Sequence, residues 1–213
     1  MFDLDGTLSD PKWGIIHSMQ YALRKMGRVE IPDEADLLWV IGPPLRENLA
    51  KILGTSDKSV IEKTVAYYHE RFSVEGLFEN EIYPGVPELL ARLKQEGFIL
   101  YLATSKPHVY ARHILERFNL INYFEKVYGS EFDGTFSDKA QLLAHLLAEE
   151  GEKTANSIMI GDRMHDIRGA RLNRLPSAGA TYGYGSRQEL IEAGADFLIN
   201  RPVELLDFVF MEC

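Results

Sequence analysis

Met1-Phe2-Asp3-Leu4-Asp5-Gly6-Thr7-Leu8 opens the chain and carries the pattern on which the predicted fold and chemistry depend. Two carboxylates, Asp3 and Asp5, stand two residues apart behind a short apolar start. Side chains at i and i+2 of a β-strand point to the same face, so both carboxylates are expected at one site. Gly6 permits a sharp turn directly after them because it lacks a Cβ atom. The pattern is typical of a carboxylate site at a strand end, and equally of an acidic turn, since Asp-Gly is a common turn signal.

A carboxylate pair at a strand end suits two kinds of chemistry. Carboxylate oxygens are ligands that a hard cation such as Mg²⁺ prefers. One carboxylate can also act as a nucleophile while the other serves as general acid and base. Only Met1 and Phe2 precede Asp3, so the first strand is expected to be very short, as in a chain truncated relative to its natural form.

The composition describes an ordinary soluble globular protein. With 46% hydrophobic residues among 213, the chain has ample material for a buried core, and no apolar run approaches the roughly 20 residues of a membrane span. A net charge of −9 argues against a broad nucleic-acid surface, which needs a basic patch. The single cysteine, Cys213, is the last residue, which excludes an internal disulfide and predicts a cytoplasmic location.

From about residue 83 onward the apolar pattern alternates between strands and helices. Strands are predicted at 98–103, 126–129, 157–160, 177–181 and 196–199, and helices at 87–96, 107–118, 139–150, 166–173, 187–193 and 203–211. Strands that alternate with helices of this length are typical of βαβ units around a parallel sheet. The predicted fold class is α/β, with a Rossmann-like parallel sheet core and helices on both faces.

Residues 12–80 break this rhythm. Ile16, Met19 and Leu23 have helical spacing, as do Ile61 and Val65, and no convincing strand occurs between them. The sequence therefore predicts an all-α cap domain at 12–81, with 1–11 and 82–213 forming the core domain. Such an insertion is expected to cover the carboxyl edge of the strands, where open α/β sheets bind their ligands.

Polar residues also occur at the ends of two later predicted strands and at the start of a predicted helix. Thr104-Ser105-Lys106 follows a predicted strand and can bind an anion through a hydroxyl and backbone N–H groups, although Ser or Thr before a helix is more often a cap. Lys139 opens a helix, where the helix dipole disfavours a cation, so it either is solvated or faces a phosphate. Asp162 ends another strand and Asp166 follows one turn later. They can hold or orient a metal, or cap the next helix.

Taken in order, these motifs resemble the haloacid dehalogenase (HAD) superfamily. The signature is matched by Asp-Leu-Asp-Gly-Thr at 3–7, Ala-Thr-Ser at 103–105, the lysine at 139 and Gly-Asp-x-x-x-Asp at 161–166. The helical insertion after the first motif resembles the C1 cap of that family. The stretches at 103–107, 160–163 and 182–186 resemble the phosphoglycolate phosphatase-like branch, some of whose members are described as 5′-nucleotidases.

The resemblance implies a Mg²⁺-dependent phosphatase that hydrolyses small phosphomonoesters through an aspartyl-phosphate intermediate. Asp3 would be the nucleophile and Asp5 the general acid and base. Mg²⁺ would be held by the carboxylates of Asp3 and Asp162 and by the backbone carbonyl of Asp5, with Asp166 supporting these ligands. The transferring phosphoryl group would be bound by Thr104, by the backbone of Ser105 and by Lys139. Phosphoglycolate or a 5′-nucleotide is the expected type of substrate.

Residues of the cap bear on specificity. Arg46 and Asn48 follow a Gly-Pro-Pro turn and either reach into the cleft or are simply polar loop residues. The segment 182–186 is either a structural loop or a specificity element. The expected partner is a small phosphorylated metabolite, with no nucleic acid and no membrane, for a protein that is a monomer or a homodimer.

Other activities within the resemblance stay open. Sugar phosphomutases carry a cap histidine five residues after the aspartate that matches Asp10, and this chain has Ile15 there, which counts against a mutase. A protein-tyrosine or sugar-phosphate phosphatase is a further alternative. Phosphonate cleavage would need a Schiff-base lysine, for which Lys51 is the cap candidate, and dehalogenases lack the aspartate present as Asp5. A non-catalytic phosphate-binding protein is expected to lack the nucleophile or a metal ligand, and here each such position is filled.

Overall fold

Seven β-strands and ten α-helices occur along residues 1–211, the part of the chain that this computed structural model describes. The strands are β1 (Ser9–Asp10), β2 (Glu81–Ile82), β3 (Tyr101–Pro107), β4 (Lys126–Ser130), β5 (Met159–Gly161), β6 (Ser177–Ala180) and β7 (Phe197–Ile199). The helices are α1 (Lys12–Lys25), α2 (Glu34–Leu37), α3 (Leu45–Leu53), α4 (Lys58–Arg71), α5 (Val86–Gln95), α6 (His108–Arg117), α7 (Lys139–Glu150), α8 (Met164–Leu172), α9 (Arg187–Ala193) and α10 (Leu205–Met211). Cys213 lies outside the described residues.

The central position of the main sheet is filled by the first residues of the chain. Phe2 pairs in parallel with Leu102 of β3 on one side and with Ile160 of β5 on the other. β4 lies beside β3, while β6 and β7 continue the sheet beyond β5, all in parallel. The order across the sheet is therefore β4, β3, residues 1–3, β5, β6 and β7. The predicted α/β fold with a parallel sheet is confirmed, and its first strand is as short as predicted.

Both faces of the sheet are covered by helices. Leu102 of β3 belongs to a core that also contains Leu90 of α5 and Ile114 of α6. Its neighbour Tyr101 points to the opposite face, where it joins a second core with Leu142 of α7. A strand buried on both faces is what its near-continuous apolar sequence predicts.

The segment between β1 and β2 is helical, as its sequence pattern predicts. α1 and α3 both pack against α4, and a π-helical turn at Phe72–Gly76 continues α4. Ile16 and Met19 of α1 lie buried in the same core as Val65 of α4. The all-α cap expected of this fold class is present, while its boundaries at 12–81 stay a prediction.

A two-stranded antiparallel ribbon stands at the base of the helical segment. Ser9 of β1 pairs with Ile82 of β2, and Asp10 pairs with Glu81. The chain therefore leaves the core and returns to it at neighbouring positions, and the hydrogen-bonded ribbon holds these two connecting segments side by side.

β3 runs further along the chain than the sequence predicted. A strand was expected over 98–103 with a helix from residue 107, whereas β3 spans Tyr101–Pro107 and α6 follows it. A shift of register between Thr104 and Pro107 lets Ser130 of β4 pair with Pro107. Pairing with β4 therefore carries the strand through the Thr-Ser-Lys motif, an effect that local sequence does not reveal.

Candidate active site

Four polar side chains from separate elements meet at the carboxyl edge of the sheet. Asp3 ends the central strand, Thr104 lies in β3, Asp162 follows β5 and Lys139 opens α7. Each of these residues is at most 5% exposed. The carboxyl ends of parallel strands share one edge of a sheet, which explains why residues so distant in sequence become neighbours.

Asp3, Asp162 and Asp166 form a cluster of buried carboxylates. One oxygen from each lies within 4.8 Å of the other two. Burial raises the pKa of Asp162 well above its usual range, and the carboxylates of Asp166 and Asp3 raise it further. Burial also raises the pKa of Asp166, although the Lys139 ammonium opposes this effect. Like charges buried this closely need a cation or a proton in compensation.

Lys139 supplies one positive charge to this cluster. Its Nζ lies 3.0 Å from Asp3 Oδ1 and 2.7 Å from Asp166 Oδ1, and donates a 2.7 Å hydrogen bond to the carbonyl of Ala103. Burial lowers the pKa of Lys139, but the Asp166 and Asp3 carboxylates outweigh burial and leave the pKa raised. The alternative that Lys139 is an ordinary solvated lysine is wrong.

Asp166 both takes part in capping α8 and belongs to the carboxylate cluster, the two roles that the sequence left open. Its Oδ2 accepts a 3.1 Å hydrogen bond from the N–H of Arg163 and so closes the first turn of α8. Its Oδ1 faces Lys139. The residue at the cap position of α8 is Arg163, so the alternative that Asp162 caps this helix is wrong.

The loop at 182–186 holds Asp162 in place. The N–H of Tyr184 donates a 2.7 Å hydrogen bond to Asp162 Oδ2, and the hydroxyl of Thr7 donates to Oδ1 at 3.4 Å. A Cβ atom at Gly183 would lie 2.4 Å from the Cβ of Asp162, so only glycine allows this close approach. Sequence reasoning left the role of this loop undecided and missed the Tyr184 contact. Glycines at alternate positions just after a strand, Gly183 and Gly185, are the signal that could have revealed this close approach.

The donor set of the cluster fits a hard divalent cation. When all three carboxylates are ionised they carry three negative charges, and Lys139 contributes one positive charge, which leaves two negative charges for a cation to compensate. Asp3 Oδ1 and Asp166 Oδ1 are buried and accept no hydrogen bond of acceptable geometry from a described residue, although both lie within ion-pair distance of Lys139. Oxygen ligands with excess negative charge are the kind that Mg²⁺ binds.

Asp5 is paired with a lysine to which sequence reasoning assigned no role. Lys106 Nζ lies 2.7 Å from Oδ2 and 2.9 Å from Oδ1 of Asp5, and the Lys106 side chain is only 5% exposed. Burial raises the pKa of Asp5, and the Lys106 ammonium offsets part of that rise. Lys106 stands two residues after Thr104 on one strand, and this spacing is the signal that could have assigned it to the site.

The Thr-Ser-Lys motif is part of a strand end rather than a helix cap. Thr104 lies inside β3, and its Oγ1 accepts a 3.3 Å hydrogen bond from the N–H of Lys106. α6 begins after Pro107 without a side-chain cap, so the more expected interpretation of Thr104 as a cap is wrong. The carbonyl of Ser105 accepts a 2.9 Å hydrogen bond from the hydroxyl of Ser130, which ties β3 to β4 at this point.

A cleft of about 760 Å³, measured with its open mouth, lies between the helical cap and the sheet edge. Asp5, Ser105 and Lys106 line its core side, and the cap candidates Arg46 and Asn48 line it as well. The cap therefore covers the edge of the sheet where the carboxylates meet.

Each cap candidate has its own partners. Arg46 donates a 2.7 Å hydrogen bond to Glu62 and a 2.9 Å hydrogen bond to the carbonyl of Phe132, so it joins the cap to the core. The Asn48 amide donates to the carbonyl of Val40 at 2.7 Å and thereby braces the turn before α3.

Lys51 lies away from the cleft. Its Nζ lies 4.0 Å from the centre of the Trp39 ring, and both residues line a separate pocket. This position offers no contact with Asp3 or Asp5 and therefore no support for a Schiff-base lysine.

Gly6 can test how much the site depends on close packing against Asp162. A Cβ atom at Gly6, where φ is +83°, would lie 2.1 Å from Asp162 Oδ2, whereas a Cβ atom at Gly27, where φ is +80°, would meet nothing within 4 Å. Both alanine variants carry the cost of a left-handed backbone, about 1–2 kcal/mol. We expect Gly6→Ala to lower the free energy of unfolding in urea by about 1–3 kcal/mol more than Gly27→Ala. Equal losses in the two variants would show that Asp162 is not tightly held.

The sequence profile of the haloacid dehalogenase-like hydrolase family matches residues 1–180. The chain belongs to this family. A 5′-nucleotidase from Pseudomonas aeruginosa is 47% identical over 190 residues, which make up 89% of this chain and 85% of that protein. The tyrosine-protein kinase PtkA from Mycobacterium tuberculosis is 35% identical over 205 residues, or 96% of this chain and 69% of PtkA.

Solved structures of the HAD family share this fold. A predicted phosphatase from Clostridium acetobutylicum superimposes with a TM-score of 0.93 at 40% identity, covering 100% of this chain and 97% of that one. Phosphoglycolate phosphatases also occur among the relatives, at 28–29% identity. The predictions of the HAD family and of a phosphoric monoester hydrolase are confirmed.

The described helices are all too short or too polar to cross a bilayer.

Proposed function

We propose that this HAD-family protein is a Mg²⁺-dependent phosphatase that hydrolyses small phosphomonoesters through an aspartyl-phosphate on Asp3. The observation that carries the proposal is the cluster of Asp3, Asp162 and Asp166 around Lys139, buried beneath a cleft that reaches Asp5. Relatives named 5′-nucleotidase and phosphoglycolate phosphatase support phosphoglycolate or a 5′-nucleotide as the type of substrate.

Asp3 and Asp5 divide the chemistry between them. The Asp3 carboxylate attacks phosphorus, and Asp5 gives a proton to the departing ester oxygen. Asp5 then takes a proton from the water that hydrolyses the aspartyl-phosphate. Burial raises the pKa of Asp5, and the Lys106 ammonium offsets part of this rise. A carboxyl group with such a pKa can both give and take a proton, as the two steps require.

Positioning and charge neutralisation account for most catalysis of phosphoryl transfer. Lys139, the hydroxyl of Thr104 and the backbone of Ser105 bind the transferring phosphoryl group. Asp166 holds the ammonium of Lys139 in place through their 2.7 Å contact. A divalent cation held by the carboxylates of Asp3 and Asp162 and by the backbone carbonyl of Asp5 would screen the repulsion between Asp3 and the phosphate.

The cap at residues 12–81 closes the site over the substrate. The cleft between the cap and the sheet edge is lined by Asp5, Ser105 and Lys106 on its core side, which supports a small phosphorylated metabolite as the partner. Arg46 is placed to contact that substrate because it lines the cleft and reaches the carbonyl of Phe132 on the core side. Asn48 acts through the turn that it braces.

The cap surface favours hydrolysis over isomerisation. Ile15, which stands where mutases have a histidine, lines the cleft with an apolar side chain. The nearby His17 places its Nδ1 3.2 Å from Glu79 instead. The cleft therefore offers no imidazole at that position to exchange a proton with a bound sugar phosphate.

Phosphate release from a panel of metabolites tests the proposal. The relatives bear the names of a nucleotidase, a phosphoglycolate phosphatase and a tyrosine kinase. All three names describe phosphoryl transfer, to water for the first two and to tyrosine for the kinase. With Mg²⁺ present, we expect release of inorganic phosphate from monoesters, reported as kcat/KM. Transfer of phosphate from ATP to a tyrosine peptide, without hydrolysis of any monoester, would overturn the proposal.

Lys106 is expected to position Asp5 for proton transfer. Replacing it with Met removes the contact that fixes the Asp5 carboxylate, and misplacement of a catalytic group by about 1 Å costs roughly 100-fold in rate. Benzyl phosphate needs a proton on its alkoxide leaving group, whereas p-nitrophenyl phosphate releases a stable anion. We expect Lys106→Met to lower kcat/KM roughly 10- to 100-fold for the first and less than about 3-fold for the second.

Lys153→Met is the matched control for this comparison. Lys153 is 52% exposed and pairs with Glu125 at the surface, so this variant should leave both rates unchanged. Equal losses for both esters in Lys106→Met would assign Lys106 to phosphate binding or to folding rather than to the placement of Asp5.

A further inference from the structure

Four aromatic side chains form a continuous surface along one side of the cleft, here called the ring wall: His69, Phe72, Tyr110 and Phe132. Phe72 and Tyr110 have ring centres 5.2 Å apart, Tyr110 and Phe132 5.1 Å, and His69 and Phe132 5.4 Å. Contacts at these distances are typical of stable aromatic packing. His69 and Phe72 come from the cap and Tyr110 and Phe132 from the core, so the surface is complete only when the two parts face each other.

The ring wall begins beside the catalytic carboxylate and runs outward. Lys106, which contacts Asp5 at 2.7 Å, lies with its Nζ 4.9 Å from the centre of the Phe72 ring. From Phe72 the contacts pass through Tyr110 to Phe132. A leaving group whose ester oxygen sits at Asp5 would therefore extend along this surface.

Phe132, at the outer end of the ring wall, keeps a large accessible surface. It is 43% exposed, whereas Phe72 and Tyr110 are 2% and 7% exposed. Its backbone carbonyl accepts a 2.9 Å hydrogen bond from Arg46, which holds the loop after β4 against the cap. A half-exposed aromatic ring held at the edge of a cleft is suited to stacking against a planar ligand.

The charges around the ring wall disfavour a second anionic group on the substrate. Among the described residues that line the cleft, the cations Lys106 and Arg46 are already paired with Asp5 and Glu62. Burial, and then the nearby Arg46, lower the pKa of His69 to about 4, so its ring is neutral near pH 7. Glu131 adds a carboxylate to the same lining. The outer cleft thus presents neutral aromatic surface rather than free positive charge.

We propose that the ring wall is a binding site for an uncharged planar ring on the leaving group, and that the substrate is a nucleoside 5′-monophosphate rather than a small aliphatic phosphate such as phosphoglycolate. This inference rests on the proposed phosphatase function and specifies its substrate. A two-carbon leaving group would touch only the beginning of the ring wall, whereas a ribose with its base reaches from Asp5 towards Phe132.

Comparison of a nucleotide with its bare sugar phosphate isolates the contribution of the ring. Adenosine and uridine 5′-monophosphate share the reacting group of ribose 5-phosphate and differ from it by the base. Stacking of a base on an aromatic side chain predicts that kcat/KM for at least one nucleotide exceeds that for ribose 5-phosphate by roughly 5- to 100-fold. Phe132→Ala should bring the ratio of kcat/KM between the nucleotide and ribose 5-phosphate close to 1, and Phe132→Tyr should restore the preference.

Phe78→Ala is the matched control, because Phe78 is 55% exposed and does not line the cleft. It should keep the wild-type preference. The inference is overturned if kcat/KM of the wild-type protein for ribose 5-phosphate or for phosphoglycolate equals or exceeds kcat/KM for both nucleotides. It is also overturned if Phe132→Ala keeps the wild-type ratio of kcat/KM between nucleotide and ribose 5-phosphate, because the ring would then contribute nothing to the preference.

Binding of the free nucleoside separates this inference from the proposed function. Calorimetric titration of the wild-type protein with adenosine and uridine, and with ribose as reference, requires no turnover. We expect a nucleoside to bind and ribose not to, with the nucleoside affinity falling roughly 5- to 100-fold in Phe132→Ala. This result without any phosphate release would keep the ring wall as a base-binding site and overturn the phosphatase. Phosphate release with no nucleoside binding would keep the phosphatase function and overturn the ring wall as a base-binding site.

Discussion

Replacing Asp3 with Asn is expected to lower kcat for phosphomonoester hydrolysis by roughly 10⁴-fold or more, the scale seen when an enzyme loses its nucleophile. The amide has nearly the shape of the carboxylate but is a far weaker nucleophile towards phosphorus. The fold should persist, because Lys139 keeps Asp166 as an ion-pair partner at 2.7 Å and is not left as an unpaired buried cation. Phosphate release and thermal unfolding of the same preparation measure the two effects together.

Asp207→Asn is the control for this substitution, since Asp207 is exposed on α10 and far along the chain from the site. It should leave kcat unchanged. Normal turnover by Asp3→Asn would remove Asp3 from the chemistry, and a large loss of thermal stability would attribute the inactivity to misfolding.

Removal of divalent metal is expected to abolish turnover reversibly, with recovery on addition of Mg²⁺. Two negative charges of the acidic cluster are left uncompensated by Lys139, so a bound cation should also stabilise the fold. A ligand present at about 100 times its Kd contributes about 2.7 kcal/mol, which for a chain of this size raises Tm by roughly 5–10 °C. Calorimetric scans with EDTA and with increasing Mg²⁺ measure this rise.

Asp162→Asn separates metal binding from general packing. Burial and the neighbouring Asp166 and Asp3 carboxylates raise the pKa of Asp162, so removing its charge should make the metal-free protein at least as stable as the wild type. The same variant should lose most of the Mg²⁺-dependent rise in Tm. An undiminished rise would place the metal elsewhere, and full activity in EDTA would exclude a role for the metal in turnover.

Sequence pattern alone predicted the elements that bring the site together. Lys139 and Asp162 each stand at the end of a strand or the start of a helix in a βαβ pattern, and parallel strands bring such ends to one edge. The pattern left their roles open, and the resemblance to the HAD superfamily implied them. α7 begins and ends at the residues that its apolar spacing predicts. These features are local, so periodicity and turn residues suffice to predict them.

Contacts between distant segments escaped prediction. The pairing of Lys106 with Asp5 joins residues 101 positions apart, and that of Tyr184 with Asp162 depends on a loop folding back over the site. The extension of β3 depends on β4, its neighbour in space. Each of these features is set by tertiary packing, which local propensity does not encode.

Trapping of a covalent phosphoenzyme tests the central claim most directly. Borohydride added during turnover reduces an aspartyl-phosphate to homoserine, and mass spectrometry of peptides from the amino-terminal segment locates the change. The account predicts homoserine at position 3, dependent on substrate and on Mg²⁺ and absent in Asp3→Asn. A modified carboxylate at Asp5 or Asp162, or turnover with position 3 unmodified, would contradict it.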